Sequence, residues 1–301
     1  MTTLSDDELI AELKKRFDHT KQALYDVKMI TRKLEEVNKK LEASEQVKSN
    51  FVSHMKNEIN NPLSSILGLS QQLISGIGND PELVSSVARM IHSEAFGLDF
   101  QLRNIFAAAE LESGETDLHV SIVEVDTLVR ETVELFSHLM EDKSLSVSVN
   151  FDSLAEGVPL LFKTDSEKLQ LVLANLISNA VEFNNEGGEV VISVMVADSA
   201  LTISVKDSGI GISTDQIHRI FDRFHQLESG RRKSHKGHGL GLSITKAISD
   251  LMEGIVAVDC SGGQGCTFTV TIPEVQVDVE ADAFSVDGNE FFFDDEKIES
   301  F

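Results

Sequence analysis

Residues 7–50 contain neither glycine nor proline and are rich in Lys, Glu and Leu. Such an unpunctuated stretch reads as one long helix, which limits the fold more than any other feature of the chain. Apolar residues fall at Ile10, Leu13, Phe17, Leu24, Val27, Ile30, Leu34, Val37, Leu41 and then Phe51. From Val27 onward the spacing alternates three and four, which is a heptad seam. Leu24, Val27 and Ile30 are spaced three and three, a stammer that locally overwinds a coiled coil. Two readings stand: a solvated amphipathic helix, or a parallel dimeric stalk feeding the next segment.

The helical pattern continues to about Ile74 with Pro62 inside it, where a lost hydrogen bond predicts a kink. Residues 75–81 form a turn, and a second helix is expected from Pro81 to about Leu111. Residues 112–116 close the unit. Two apolar-faced helices joined by a short turn make a hairpin with too little core of its own, so two copies are expected to pair into a four-helix bundle.

From His119 the pattern becomes an α/β alternation. Helices are expected at 125–136, 166–183 and 240–252, with a short one at 213–221. Strands are expected at 145–151, 189–196, 201–207, 255–259 and 267–272, giving a mixed sheet covered by helices on one face.

A net charge of −24 argues against nucleic-acid or anionic-membrane partners, because phosphates attract basic faces. Residues 274–301 carry ten acids against one lysine, and also Phe291, Phe292 and Phe293. This tail reads either as disordered filler or as an aromatic docking peptide. No apolar run approaches the ~18 residues of a membrane span. The acidic start lacks the basic and apolar regions of a signal peptide, so a cytoplasmic location is expected. Cys260 and Cys266, flanked by glycines, read as a turn rather than as a metal site or a disulfide framework.

Four segments carry chemistry. In AsnLeuIleSerAsnAlaValGluPhe (175–183), Asn175 and Asn179 are four apart on one helix face, so both amides can address one ion and phosphate cluster. AspSerGlyIleGly (207–211) ends a strand. Its carboxylate suits an adenine amino group, and Gly209 and Gly211 allow close approach to the backbone. IlePheAspArgPhe (220–224) follows. GlyHisGlyLeuGlyLeu (237–242) then opens a helix whose N-terminal amides favour phosphate.

In this order the four segments resemble the ATP-binding domain of sensor histidine kinases, a Bergerat-type domain shared with Hsp90-type chaperones, type II topoisomerases and MutL-type proteins. The hairpin before them resembles the dimerisation and phosphotransfer domain of the same kinases. The resemblance implies an α + α/β chain: an N-terminal coiled coil (1–46), a dimeric four-helix-bundle hairpin (47–116), an α/β sandwich ATP-binding domain with a mixed sheet (117–273), and an acidic tail (274–301). It implies ATP with Mg2+, Asn179 as the metal ligand and Asn175 assisting. Asp207 would read the adenine, with Thr267 near it. Gly209, Gly211, Gly237, Gly239, Leu240 and Gly241 would shape the pocket. Phe221 and Phe224 would anchor a lid spanning about 222–236. Asn175 stands where the chaperone-type ATPases carry a water-activating glutamate, which disfavours simple hydrolysis.

Two departures matter. Glu182 stands where the family often has a cation that reaches the phosphates, and Arg231, Arg232, Lys233 and Lys236 of the lid are candidates to compensate. More importantly, in LysAsnGluIleAsnAsnProLeu (56–63) the resemblance places a phosphoacceptor histidine where this chain has Asn57. An imidazole accepts a phosphoryl group through a neutral nitrogen whose other N–H is held by a base, and a carboxamide cannot act as such an acceptor. Glu58, at the position of the base, and Asn61, at the position that orients water for dephosphorylating a response regulator, are both present.

His54 is the alternative acceptor, about 60° round and roughly 4.5 Å back along the helix from Asn57. His92, His138, His218, His225, His235 and His238 read as surface, core-edge or lid residues. The implied partner is a response-regulator receiver domain or a second histidine kinase, the implied assembly a homodimer. Active kinase, degenerate kinase and phosphatase all remain open.

Overall fold

The computed structural model describes residues 6–75, 80–114, 116–152, 158–222, 239–260 and 263–275. The chain divides into two compact units, residues 1–60 and 61–301. The first consists of the greater part of helix α1 (Asp6–Ile74), a single helix of 69 residues. In the single chain Phe17, Leu24, Ile30 and Leu34 of its apolar seam are each more than 60% exposed. The helix is continuous through Pro62.

The second unit begins with the last turns of α1 and helix α2 (Pro81–Ser113). The start of α2 is specified locally. The Asp80 carboxylate accepts the N–H groups of Glu82 and Leu83 at 3.0 and 3.4 Å, and Pro81 occupies the first turn, where its missing N–H costs nothing. Gly114, at φ 72°, ends the helix in the left-handed conformation that glycine adopts without strain. Leu67, Leu83, Met90 and Phe106 remain exposed on this hairpin.

The rest is an α/β domain. Strand β1 (Val120–Glu124) leads into helices α3 (Val125–Leu135) and α4 (Ser137–Asp142), then strands β2 (Ser146–Phe151) and β3 (Leu161–Asp165). Helix α5 (Ser166–Glu182), strands β4 (Glu189–Ala197) and β5 (Ala200–Asp207), and a 3-10 turn at Ile217–Arg219 follow. Helix α6 (Gly241–Leu251) and strands β6 (Ile255–Cys260) and β7 (Cys266–Pro273) complete it. The main sheet has the order β2-β4-β5-β7-β6, with β2 and β4 parallel and the other pairs antiparallel, the expected mixed sheet.

Strands β1 and β3 form a separate antiparallel pair that the sequence pattern did not reveal, since five-residue strands show little alternation. Helix α4 was also not anticipated. The helix expected at 213–221 is reduced to the 3-10 turn at Ile217–Arg219.

Alternation in β5 and β7 buries Leu201, Ile203 and Val205 with Phe268, Val270 and Ile272 on one face. Leu173, Leu176 and Ile177 of α5 and Ile244 and Ile248 of α6 are no more than 2% exposed. Truncating any one to alanine costs about 2–5 kcal/mol. Asp165 anchors α5: its Oδ1 accepts Lys168 N–H and its Oδ2 accepts His119 N–H, so the helix start is tied to the segment before β1. This core fixes α5 and the end of β5, which carry the chemistry.

Helix α2 packs on the same domain through aromatic rings. Phe96 meets Phe136 edge-on at 5.4 Å and His138 at 5.4 Å, while His92 and His138 lie 6.1 Å apart. These two histidines therefore form part of a packed seam.

Candidate functional site

Strand β5 ends at Asp207, buried on the core face of the sheet. Its Oδ1 accepts two backbone N–H groups, Gly209 at 2.8 Å and Cys266 at 3.2 Å. Among the described residues Oδ2 accepts none, which leaves it for a ligand donor. Burial raises the carboxyl above its ordinary value, and the two N–H bonds pull the other way.

Glycines are required around this turn. A β-carbon on Gly209 would stand 2.1 Å from the Phe183 carbonyl oxygen, and one on Gly265 would stand 2.0 Å from that of Asp207. Gly211 (φ 66°) and Gly239 (φ 68°) are left-handed. The turn is also bound from outside: Ile210 N–H donates to Phe183 O at 3.1 Å and Gly263 N–H to Ile210 O at 2.7 Å.

Helix α5 supplies the amides. Asn175 is buried, and the Nδ2 atoms of both Asn175 and Asn179 are buried without a hydrogen-bond partner among the described residues. An orphaned buried amide costs about 1–3 kcal/mol unless a ligand satisfies it. Gly241 opens α6 beside Asn175, a β-carbon there falling 3.0 Å from Asn175 Oδ1. The N-cap, Leu240, is buried and offers no side-chain bond to the first amides of α6, which stay available to an anion. Among the described residues no three His, Cys, Asp or Glu side chains cluster as a metal cage. A divalent ion here would rest on amides, phosphate oxygens and water, the usual habit of Mg2+.

The histidine kinase-, DNA gyrase B- and HSP90-like ATPase model matches residues 164–276. The circadian input-output histidine kinase CikA of Thermosynechococcus vestitus is 29% identical over 246 residues, covering 81% of this chain and 34% of that protein. Sensor protein EvgS of Escherichia coli K12 is 32% identical, covering 79% of this chain and 20% of the other. Sensor histidine kinase YcbM of Bacillus subtilis is 24% identical, covering 85% and 81%. Full-length ShkA, solved with AMPPNP, superposes with a TM-score of 0.53 at 26% identity over 77% of this chain and 46% of that one. The chain belongs to the sensor histidine kinase family. It spans between a fifth and about a third of the length of the first curated relatives it matches.

Within this histidine kinase frame the structure departs from or adds to the sequence expectation at three places. Thr267 is not the β7 residue that meets Asp207. Alternation places Cys266, Phe268, Val270 and Ile272 on the core face with Asp207, and Thr267 on the opposite face, opposite Lys206. Cys266, through its N–H, is the residue the sequence reading missed, although the alternation of β7 already carried the signal.

The two cysteines, expected only to mark a turn, are bonded to each other across β6 and β7, where the register sets them opposite at a Cα separation of 4.3 Å. The turn itself is present, with Gly263 and Gly265 at positive φ.

Lys143 was also missed. Its Nζ donates to the carbonyls of Val181 and Glu182 at 2.9 and 2.6 Å, placing an ammonium on the last turn of α5, the turn that carries Glu182. No local sequence signal links residues so far apart.

Phe224, Gly237 and the lid cations lie outside the described residues. His54, Asn57 and Glu58 are within α1, with side chains outside what is described; Asn61 is helical and exposed. No helix among the described residues is long and apolar enough to cross a membrane.

Proposed function

We propose that this histidine kinase-like chain binds ATP with Mg2+ and acts on or through a response-regulator receiver domain, without phosphorylating itself at position 57. The observation that carries the nucleotide half is the pair of buried, unpartnered amides on Asn175 and Asn179 beside the glycine-opened start of α6. Asn179, with Asn175 assisting, would hold Mg2+ through its amide oxygen, and the unpartnered Nδ2 donors suit phosphate oxygens, whose charge the ion would neutralise. Asp207 accepts the adenine amino group, and the amides of α6 face the phosphates. Exposed apolar residues on α1 and α2 support a homodimer joined through the hairpin.

The acceptor half rests on chemistry. A carboxamide nitrogen is not nucleophilic as a neutral imidazole nitrogen is, so Asn57 takes no phosphoryl group. Glu58 and Asn61 keep the polar groups that serve a receiver domain's dephosphorylation. Incubation of the purified chain with γ-labelled ATP, followed by acid and base treatment, tests this reading. It expects ATP binding with no stable label. Acid-labile, base-stable label that disappears in His54→Ala would overturn it in favour of a shifted acceptor.

A further inference from the structure

The Cys260–Cys266 bond closes the turn that buttresses Asp207. Three contacts join that turn to the adenine-side loop: Cys266 N–H to Asp207 Oδ1 at 3.2 Å, Gly263 N–H to Ile210 O at 2.7 Å, and Gly265 packed against the Asp207 carbonyl so closely that no β-carbon fits. The register sets Cys260 directly opposite Cys266, so the bond ties the two strands at the point where the turn begins. Nothing else covalent fixes the turn. A metal role does not account for the pair, since among the described residues no third metal-ligating side chain joins it.

We infer that Cys260 and Cys266 form a thiol–disulfide site whose oxidation state sets the affinity of the nucleotide pocket. The inference rests on the assignment of Asp207 as the adenine-reading carboxylate. With the bond closed, the turn is held in the conformation that aims Cys266 N–H at Asp207, and the pocket is preorganised. With the bond open, part of the ordering must be supplied at the moment of binding, and affinity falls.

The exchange partner is a low-molecular-weight thiol–disulfide couple such as glutathione. A thiolate of the small molecule attacks one protein sulfur, forming a mixed disulfide and releasing the other cysteine as a thiolate. A second small thiol then attacks the mixed disulfide and releases the small-molecule disulfide. The protein bond gains two electrons, the two small thiols lose two, and two protons end on the cysteines. The pair is nearly buried, but Asp259, Gly263 and Gln264 beside it are exposed, so the reagent approaches from that side.

Linkage makes the effect reciprocal: whatever factor the disulfide adds to nucleotide affinity, bound nucleotide adds to the resistance of the disulfide to reduction. A purely structural disulfide remote from the pocket would show no such dependence.

The test uses the full chain, oxidised by glutathione disulfide or reduced by dithiothreitol, with thiol content read by alkylation and mass spectrometry. Calorimetric titration with AMPPNP is expected to show binding about three- to tenfold weaker in the reduced protein. Cys260→Ser, which leaves Cys266 and its N–H in place, is expected to show the weaker affinity under both conditions, with a thermal melt confirming that it is folded. Saturating AMPPNP is expected to shift the thiol–disulfide equilibrium toward the disulfide by the same factor. Equal affinity in fully oxidised and fully reduced protein overturns the inference, as does failure of the bond to form in excess glutathione disulfide. Asp207→Asn separates the two layers: undiminished AMPPNP binding in that variant refutes the adenine assignment itself, whereas lost binding there with no redox dependence in the natural chain refutes only the thiol–disulfide site.

Discussion

Gly241 and Asn175 touch across two helices: a β-carbon on the glycine would lie 3.0 Å from the asparagine Oδ1. Asn175 is 2% exposed and has no room to withdraw. Gly241→Ala is therefore expected to disturb the amide while leaving α6 intact, since alanine suits a first helical turn at least as well as glycine. The expected outcome is about three- to tenfold weaker ATP binding with little change in melting temperature. Fluorescence titration beside a thermal melt checks it.

Gly265→Ala behaves differently. The residue sits at φ 81° with its would-be β-carbon 2.0 Å from the Asp207 carbonyl. Both the strain and the clash act on the folded backbone, so a stability loss of at least about 2 kcal/mol is expected alongside lost nucleotide binding. Denaturant unfolding measures the first and titration the second.

Asp207 sets function against stability. Burial raises its carboxyl above 3.8, so the folded chain keeps a proton that the unfolded chain has already released. Stability therefore falls as pH rises from the ordinary value through the raised one, and stays lower above it. Asp207→Asn removes that penalty. The variant is expected to melt higher than the natural chain at neutral pH and to lose the advantage in acid, while binding ATP about 10- to 100-fold more weakly. Melts across the acid range decide it.

The α2 seam has the opposite sign. Burial, then the neighbouring charge of His92, lower the His138 imidazole from 6.5, while Asp142, Glu141 and the Leu135 backbone oppose them. The unfolded chain takes up the proton first as pH falls. The contribution is thus complete above 6.5 and is lost as pH drops toward the lowered value. His138→Phe keeps a ring against Phe96 and is expected to flatten this part of the pH profile of the melt. Phe96→Ala, which empties a site 4% exposed, is expected to cost about 3–5 kcal/mol.

Much of this was legible in the residues. The periodic spacing of α1, α2 and α5 gave their extent, and the order of the asparagine and glycine segments gave the family. What escaped depended on partners distant in sequence. Lys143 caps a turn nearly forty residues further on, a relationship no local pattern encodes. The cysteine pair follows from the β6–β7 register, not from spacing in a chain of this length. The β4–β5 hairpin, by contrast, was readable from its two strands, although it turns on Asp198 and Ser199, both at positive φ, without the glycine that usually announces such a turn. Thr267 was a matter of strand parity, and parity was readable.

On the proposed function the ATP site is competent and only the acceptor at position 57 is missing. Replacing Asn57 with histidine, in the full chain, and incubating with γ-labelled ATP and Mg2+ tests it most directly. Acid-labile, base-stable label is expected on Asn57→His and none on the natural chain. A variant that binds no ATP and takes no label, or a natural chain that labels as strongly as the variant, would contradict it.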